Sequence, residues 1–238
     1  MHPEATVTRK NIGTPLAFSA GLPRNLRYKI VGLYVLLLAG GLWHLLGVLQ
    51  NTMQLLAAPL LIALCLLLCF AQVRELPQRR FLFWCILVCG SGFFIELLGV
   101  KTGVIFGAYF YGPTLQPQFW GIPLAIGFAW LTMLLSSAAV AQYLLPPRFF
   151  ARPFAAALLI AALMVTFDLF MEPAATKLHY WTWESGKIPG QNYLAWFAFG
   201  FILSYIGLRL SLFKQKSSPL AIHAYVAQIC YFVLVSLS

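Results

Sequence analysis

Seven stretches of about twenty residues, at roughly 30–49, 54–73, 81–100, 121–144, 154–172, 192–211 and 219–237, are almost wholly apolar. A helix rises ~1.5 Å per residue, so each stretch is long enough to cross a hydrocarbon core ~30 Å thick. Lipid offers no water to backbone N–H and C=O groups, so each stretch must satisfy its own hydrogen bonds as a helix. Hydrophobic residues make up 61% of the chain and charged residues 9%, against ~25% charged in ordinary soluble domains. The expected fold is all-α: a polytopic seven-helix transmembrane domain over 29–238, preceded by a basic tail over 1–28.

The formal net charge of +10 would suit a nucleic-acid partner, but its distribution has a membrane explanation. Arg9, Lys10, Arg24, Arg27 and Lys29 precede the first span, and Arg74, Arg79 and Arg80 lie between the second and third. Arg148 and Arg152 follow the fourth, and Arg209, Lys214 and Lys216 lie around the end of the sixth. Only Lys101, Lys177 and Lys187 fall on the other side. Basic residues mark cytoplasmic loops, so the N-terminus is expected inside and the C-terminus outside. The first residues lack the short apolar core and small-residue cleavage site of a signal peptide, and read as a cytoplasmic tail. Neither a nucleic-acid partner nor an internal repeat is expected.

The chain has six acidic residues, and three of them, Glu96, Asp168 and Glu172, sit inside apolar stretches. A carboxylate at membrane depth costs at least ~2.5 kcal/mol to insert, which makes intramembrane acids functional candidates. Asp168 and Glu172 are four apart and share one helix face. Counted from the cytoplasmic ends, Glu96, Asp168 and His44 all lie about fourteen or fifteen residues in, ~20–23 Å deep, with Glu172 one turn further out. Similar depth predicts one shared cavity in the outer half, open or nearly open to the outer side.

The outer loops are long and rich in Gly, Pro and aromatics. One runs from Lys101 through Tyr109-Phe-Tyr111 to Trp120-Gly-Ile-Pro123, the other from Pro173 through Tyr180-Trp-Thr-Trp183 to Asn192 and Trp196. Above buried acids they read as a lid or entrance; singly, each aromatic also fits an interfacial belt. A purely structural role for the acids, bridged to Tyr, Trp, Lys101 or Lys177, is the alternative. Cys65/Cys69 and Cys85/Cys89 have spacings that allow a four-sulfur metal site, but buried thiols near the reducing side are expected to pack as small hydrophobes. Neither metal nor disulfide is expected, and His223 lies too far toward the cytoplasmic side to join the acids.

Glu96-Leu-Leu-Gly-Val-Lys-Thr-Gly103 with Phe106-Gly-Ala-Tyr-Phe-Tyr111 resembles the first signature of the integral-membrane carotenoid 1,2-hydratases, the CruF-type carotenoid biosynthesis proteins. Asp168-Leu-Phe-Met-Glu-Pro173, Trp181-Thr-Trp183, Gly186 and Ile188-Pro-Gly-Gln-Asn-Tyr-Leu-Ala-Trp196 resembles the second. The resemblance covers about 93–200. This chain departs from the family pattern at Glu172, usually Asp, and at Ala195, often Gly. The resemblance implies a hydratase that uses water and an acyclic carotenoid, of lycopene or gamma-carotene type, in a bacterial cytoplasmic membrane.

The chemistry can be derived from the residues as well. Adding water to a trisubstituted alkene needs a positioned acid that keeps its proton at neutral pH, and an apolar, crowded site disfavours a charged carboxylate. Protonation of the less substituted carbon gives a tertiary cation, which aromatic faces stabilise and water traps. The expected site has Asp168 as proton donor with Glu172 as its acid/base partner, and Glu96 as either the acid itself or the group that orients water. Tyr109, Tyr111, Trp181, Trp183, Asn192, Trp196 and His44 are expected to bind substrate. No redox equivalent is consumed, so no cofactor is expected. Competing readings are a lycopene-cyclase-like protonation without water and a non-enzymatic carotenoid or isoprenoid carrier. A retinal protein is excluded because 219–237 holds no Lys for a Schiff base. A prenyltransferase would need a second acid-rich motif for magnesium and diphosphate.

Overall fold

The computed structural model describes residues 22–73 and 78–238. Within them seven long helices follow one another: α1 (Arg24–Leu45), α2 (Gln50–Val73), α3 (Gln78–Thr102), α4 (Ala125–Leu144), α5 (Pro153–Lys177), α6 (Gly190–Arg209) and α7 (Pro219–Leu237). All but α6 are long and apolar enough to cross a membrane, and the chain is an integral membrane protein. α6 has 20 residues but carries Gln191, Asn192 and Arg209, which lower its apolar content. Most of the expected basic tail, including Arg9 and Lys10, lies outside the described residues, as does Arg74. The tail's expected end at 28 differs from the structure, in which Pro23 already precedes the first turn of α1.

α4 is the central post. Fourteen of its residues are buried, and it packs against α2, α3, α5 and α7. Its sequence explains this: Gly127, Ser136, Ser137, Ala138, Ala139 and Ala141 are small, and small residues let helix backbones approach closely in lipid. At Gly127 an added Cβ would collide with the backbone carbonyl of Cys89 on α3. α3 and α6 are joined lower down by Trp84, fully buried, whose indole N–H donates to the carbonyl of Leu203 at 3.0 Å. α5 and α6 pack along each other, as do α1 and α7.

The two long aromatic loops are not irregular. Tyr109–Tyr111 (β1) pairs antiparallel with Trp181–Trp183 (β4), in the register Tyr109 to Trp183, Phe110 to Thr182 and Tyr111 to Trp181. A second small ribbon joins Gln118–Phe119 (β2) to Ile122–Pro123 (β3). Successive strand residues face opposite ways, so Tyr109, Tyr111, Trp181 and Trp183 share the inner face, while Phe110 and Thr182 are exposed. Gly107, with φ of +110°, makes the turn into β1, and a side chain there would run into Pro189 at the start of α6.

Gly127→Ala should therefore destabilise the protein by about 1–3 kcal/mol, because the opposing atom is backbone and cannot rotate away. A lowered thermal midpoint in detergent, against an unchanged Gly90→Ala control where a Cβ meets nothing within 4 Å, checks this.

Candidate active site

The inner face of the β1–β4 ribbon closes over three buried carboxyls, one from α3 and two from α5. Glu96 is 4%, Asp168 0% and Glu172 1% exposed, so all three carboxyls are buried.

Each strand serves one glutamate. From β1, the Tyr109 and Tyr111 hydroxyls donate to Glu96 Oε2 at 2.5 and 2.8 Å. From β4, the Trp181 and Trp183 indole N–H groups donate to Glu172 Oε2 at 3.1 and 3.0 Å. The period-two spacing of Tyr-x-Tyr and Trp-x-Trp makes this possible: residues two apart on a strand project together toward one acceptor. Burial, and after it the adjacent Glu96, hold both tyrosine phenols above their ordinary range. They therefore stay protonated and remain donors.

The inner ends of the two glutamates are held from the helices. Trp130 of α4 donates to Glu96 Oε1 at 3.0 Å. Asn192, in the first turn of α6, donates to Glu172 Oε1 at 3.1 Å and to Asp168 Oδ2 at 2.9 Å. One amide thus ties together the two acids that helix spacing had aligned. Asp168 Oδ1 is buried and has no hydrogen-bond partner among the described residues.

These groups surround a cavity lined by Glu96, Phe106, Tyr109, Tyr111, Ile126, Glu172, Trp181, Trp183, Asn192 and Trp196. Its unfilled space is on the order of one water molecule. Glu96 and Glu172 are on the wall; Asp168 stands one hydrogen bond behind it, through Asn192. Trp196 presents a ring whose far face stacks on Trp130, with centroids 3.9 Å apart and planes 6° from parallel. Tyr109 packs against Trp183 at 5.1 Å and Tyr111 against Trp181 at 6.0 Å.

Nine of the ten residues expected from the sequence come together here. His44 does not: it lies in the last turn of α1 and faces Tyr231 of α7, with ring centroids 6.3 Å apart. Lys177, weighed as a counter-ion, donates to the backbone carbonyl of Ser236 at 2.8 Å. Sequence reasoning missed Trp130 and Phe106. Trp130 had one available signal, an indole well inside an apolar span rather than at its interfacial end, where Trp is ordinarily found. The described cysteines are free thiols, and among the described residues no group of three or more His, Cys, Asp or Glu is arranged to hold a metal ion.

Three carboxyls from two apolar helices, buried under an aromatic ribbon, define a class of intramembrane acid site. The chain belongs to the carotenoid biosynthesis protein family, whose model matches residues 51–238. It is also 29% identical over 110 residues to a bisanhydrobacterioruberin hydratase of Haloarcula japonica, a stretch covering 44% of this chain and 37% of that protein. No solved structure matches the chain.

Because Glu96 and Glu172 are buried acceptors, removal of one donor leaves a lone pair without a partner, at about 1–3 kcal/mol. Trp183→Phe and Tyr111→Phe should each lower unfolding stability in detergent by that amount. Trp130→Phe keeps the stacked ring while removing its N–H, so it should cost less than Trp130→Leu.

Proposed function

We infer that the chain is a carotenoid hydratase, adding water to the terminal carbon–carbon double bond of an acyclic carotenoid end to give a tertiary alcohol. One observation carries this reading: two carboxyls from different helices face one narrow aromatic cavity, and a third is tied to one of them through Asn192. Membership of the carotenoid biosynthesis family and the relative named as a hydratase support it.

The Asp168–Glu172 pair supplies the proton. Glu172, on the cavity wall, carries the proton and delivers it. Asp168, held by the same Asn192 amide, thus becomes the partner behind the donor. The alkene π pair forms the new C–H bond at the less substituted carbon, leaving a tertiary cation. The faces of Trp196, Tyr109 and Tyr111 stabilise that cation, worth about 2 kcal/mol in a desolvated site. Glu96 accepts three hydrogen bonds from the protein and acts as the carboxylate that orients the attacking water. The C–O bond forms from the water lone pair, the surplus proton returns to the carboxyls, and the site is restored with no change of oxidation state.

A general acid contributes ~10²–10⁴-fold. In a lycopene-accumulating bacterial host, Glu172→Gln, Asp168→Asn and Glu96→Gln should each reduce hydration at least about a hundredfold at normal protein levels. Wild type should add about 18 mass units per modified end, the mass of one water placed by acid catalysis. Full activity in all three variants would reject the assignment, and product of unchanged mass would favour cyclisation.

The function requires a defined orientation as well. We assign α1 to α7 as seven spans of a bacterial cytoplasmic membrane, with the N-terminus inside and the ribbon on the outer side, since the basic residues cluster in alternate connections. A C-terminal alkaline phosphatase fusion should accordingly be active and a C-terminal green fluorescent protein fusion dark. The reverse pattern would overturn the seven-span count.

A further inference from the structure

The acid cavity leaves room on the order of one water, whereas a carotenoid is a rod comparable in length to the hydrocarbon core. The body of such a molecule needs apolar space elsewhere, continuous with the acids. A second cavity, with about 160 Å³ of free space against about 20 Å³ at the acids, lies between α1, α2 and α7. It runs from Leu33 to Trp43 on α1 and from Met53 to Leu64 on α2, about 15 Å along the helix axes.

Three features suit it to a conjugated chain. It is open sideways: α1 packs along α7 but touches α2 over only a short stretch, and Leu36, Leu56 and Leu60 on its rim are exposed. Its depth comes from small residues, since Gly40 and Ala57 line it from facing helices. A Cβ at Gly40 would lie 3.4 Å from Tyr231 and 3.6 Å from Met53, so any longer side chain there fills the groove. It also carries aromatic rings, Trp43, Tyr180, Tyr231 and Phe232, whose faces pack on a conjugated system better than on a saturated acyl chain.

The groove meets the acids at one peptide bond. Tyr180 lines the groove, and its neighbour Trp181 lines the acid cavity and donates to Glu172. The two rings lie 6.2 Å apart. We propose that the α1–α2–α7 groove holds the polyene body of the carotenoid, admits it sideways from the lipid, and passes its end group across the Tyr180–Trp181 boundary to the acids. This rests on the carotenoid reading above but not on the hydration chemistry.

The test uses the full chain purified in detergent from a lycopene-accumulating host. Gly40→Leu and Ala57→Phe fill the groove from separate helices; Leu55→Phe, at a position 77% exposed and off the groove, is the control. Pigment retained per protein is read by absorbance, products by mass spectrometry and folding by the thermal midpoint. The expected result is at least a fivefold loss of retained lycopene in both filled variants, with wild-type retention in the control and unchanged midpoints. Retention at the wild-type level in either filled variant, with its midpoint unchanged, would overturn the proposal. So would a groove that releases phospholipid rather than pigment when filled. Pigment bound by wild type and lost from filled variants, with no water added by any of them, would support the groove and overturn the hydration reading alone.

Discussion

The structure depends on satisfying three carboxyls at a depth where no solvent can do so. A buried polar group without a partner costs more than a hydrogen bond returns, and in lipid the alternative of hydration is missing. Seven donor contacts from six side chains meet that requirement. The placement of the ribbon, of α4 and of the first turn of α6 can be read as the means of delivering them. Two strands of three residues each would be marginal alone; here their inner faces are pinned to two helices through the glutamates.

The same arrangement leaves one oxygen out. Of the six carboxyl oxygens, five accept at least one hydrogen bond, while Asp168 Oδ1 has no partner among the described residues. A site built to hold carboxylates in fixed positions thus keeps one carboxyl oxygen chemically unspent. Asn192 links that oxygen's carboxyl to the one on the cavity wall, so the two acids of α5 share one donor amide. The stacked Trp130–Trp196 pair adds rigidity on the other side, because one indole both holds Glu96 and backs the ring that faces the cavity.

Much of this was legible in the sequence, for energetic reasons. Glu96, Asp168 and Glu172 stood out because a carboxyl in an apolar span is costly, and the i, i+4 spacing put the latter two on one face. The aromatic loops were legible as a roof but not as a ribbon. Tyr-x-Tyr and Trp-x-Trp are too short to declare a strand, and their pairing joins residues about seventy positions apart, a relation that local periodicity does not carry. His44 was grouped with the acids by depth, and depth along a helix says nothing about which neighbour the side chain faces. Trp130 was hidden by its surroundings, one more large residue in an apolar span, until the fold set it against Glu96. The helix positions were legible from apolar length, but α1 begins at Arg24 and α5 runs on to Lys177, because polar end turns can be helical without being apolar.

One feature of the hydrogen-bond pattern bears on how the molecule is made. Tyr109, Tyr111 and Trp130 all follow Glu96 in the chain, and Trp181, Trp183 and Asn192 all follow Asp168 and Glu172. Synthesis runs from the N-terminus, so each acid leaves the ribosome ahead of the residues that will hold it. The set for Glu96 is complete with α4, whereas the set for Asp168 and Glu172 is complete only with the emergence of α6. Asn192 is thus the last of the six donors to arrive, and it is the one that joins the two acids of α5.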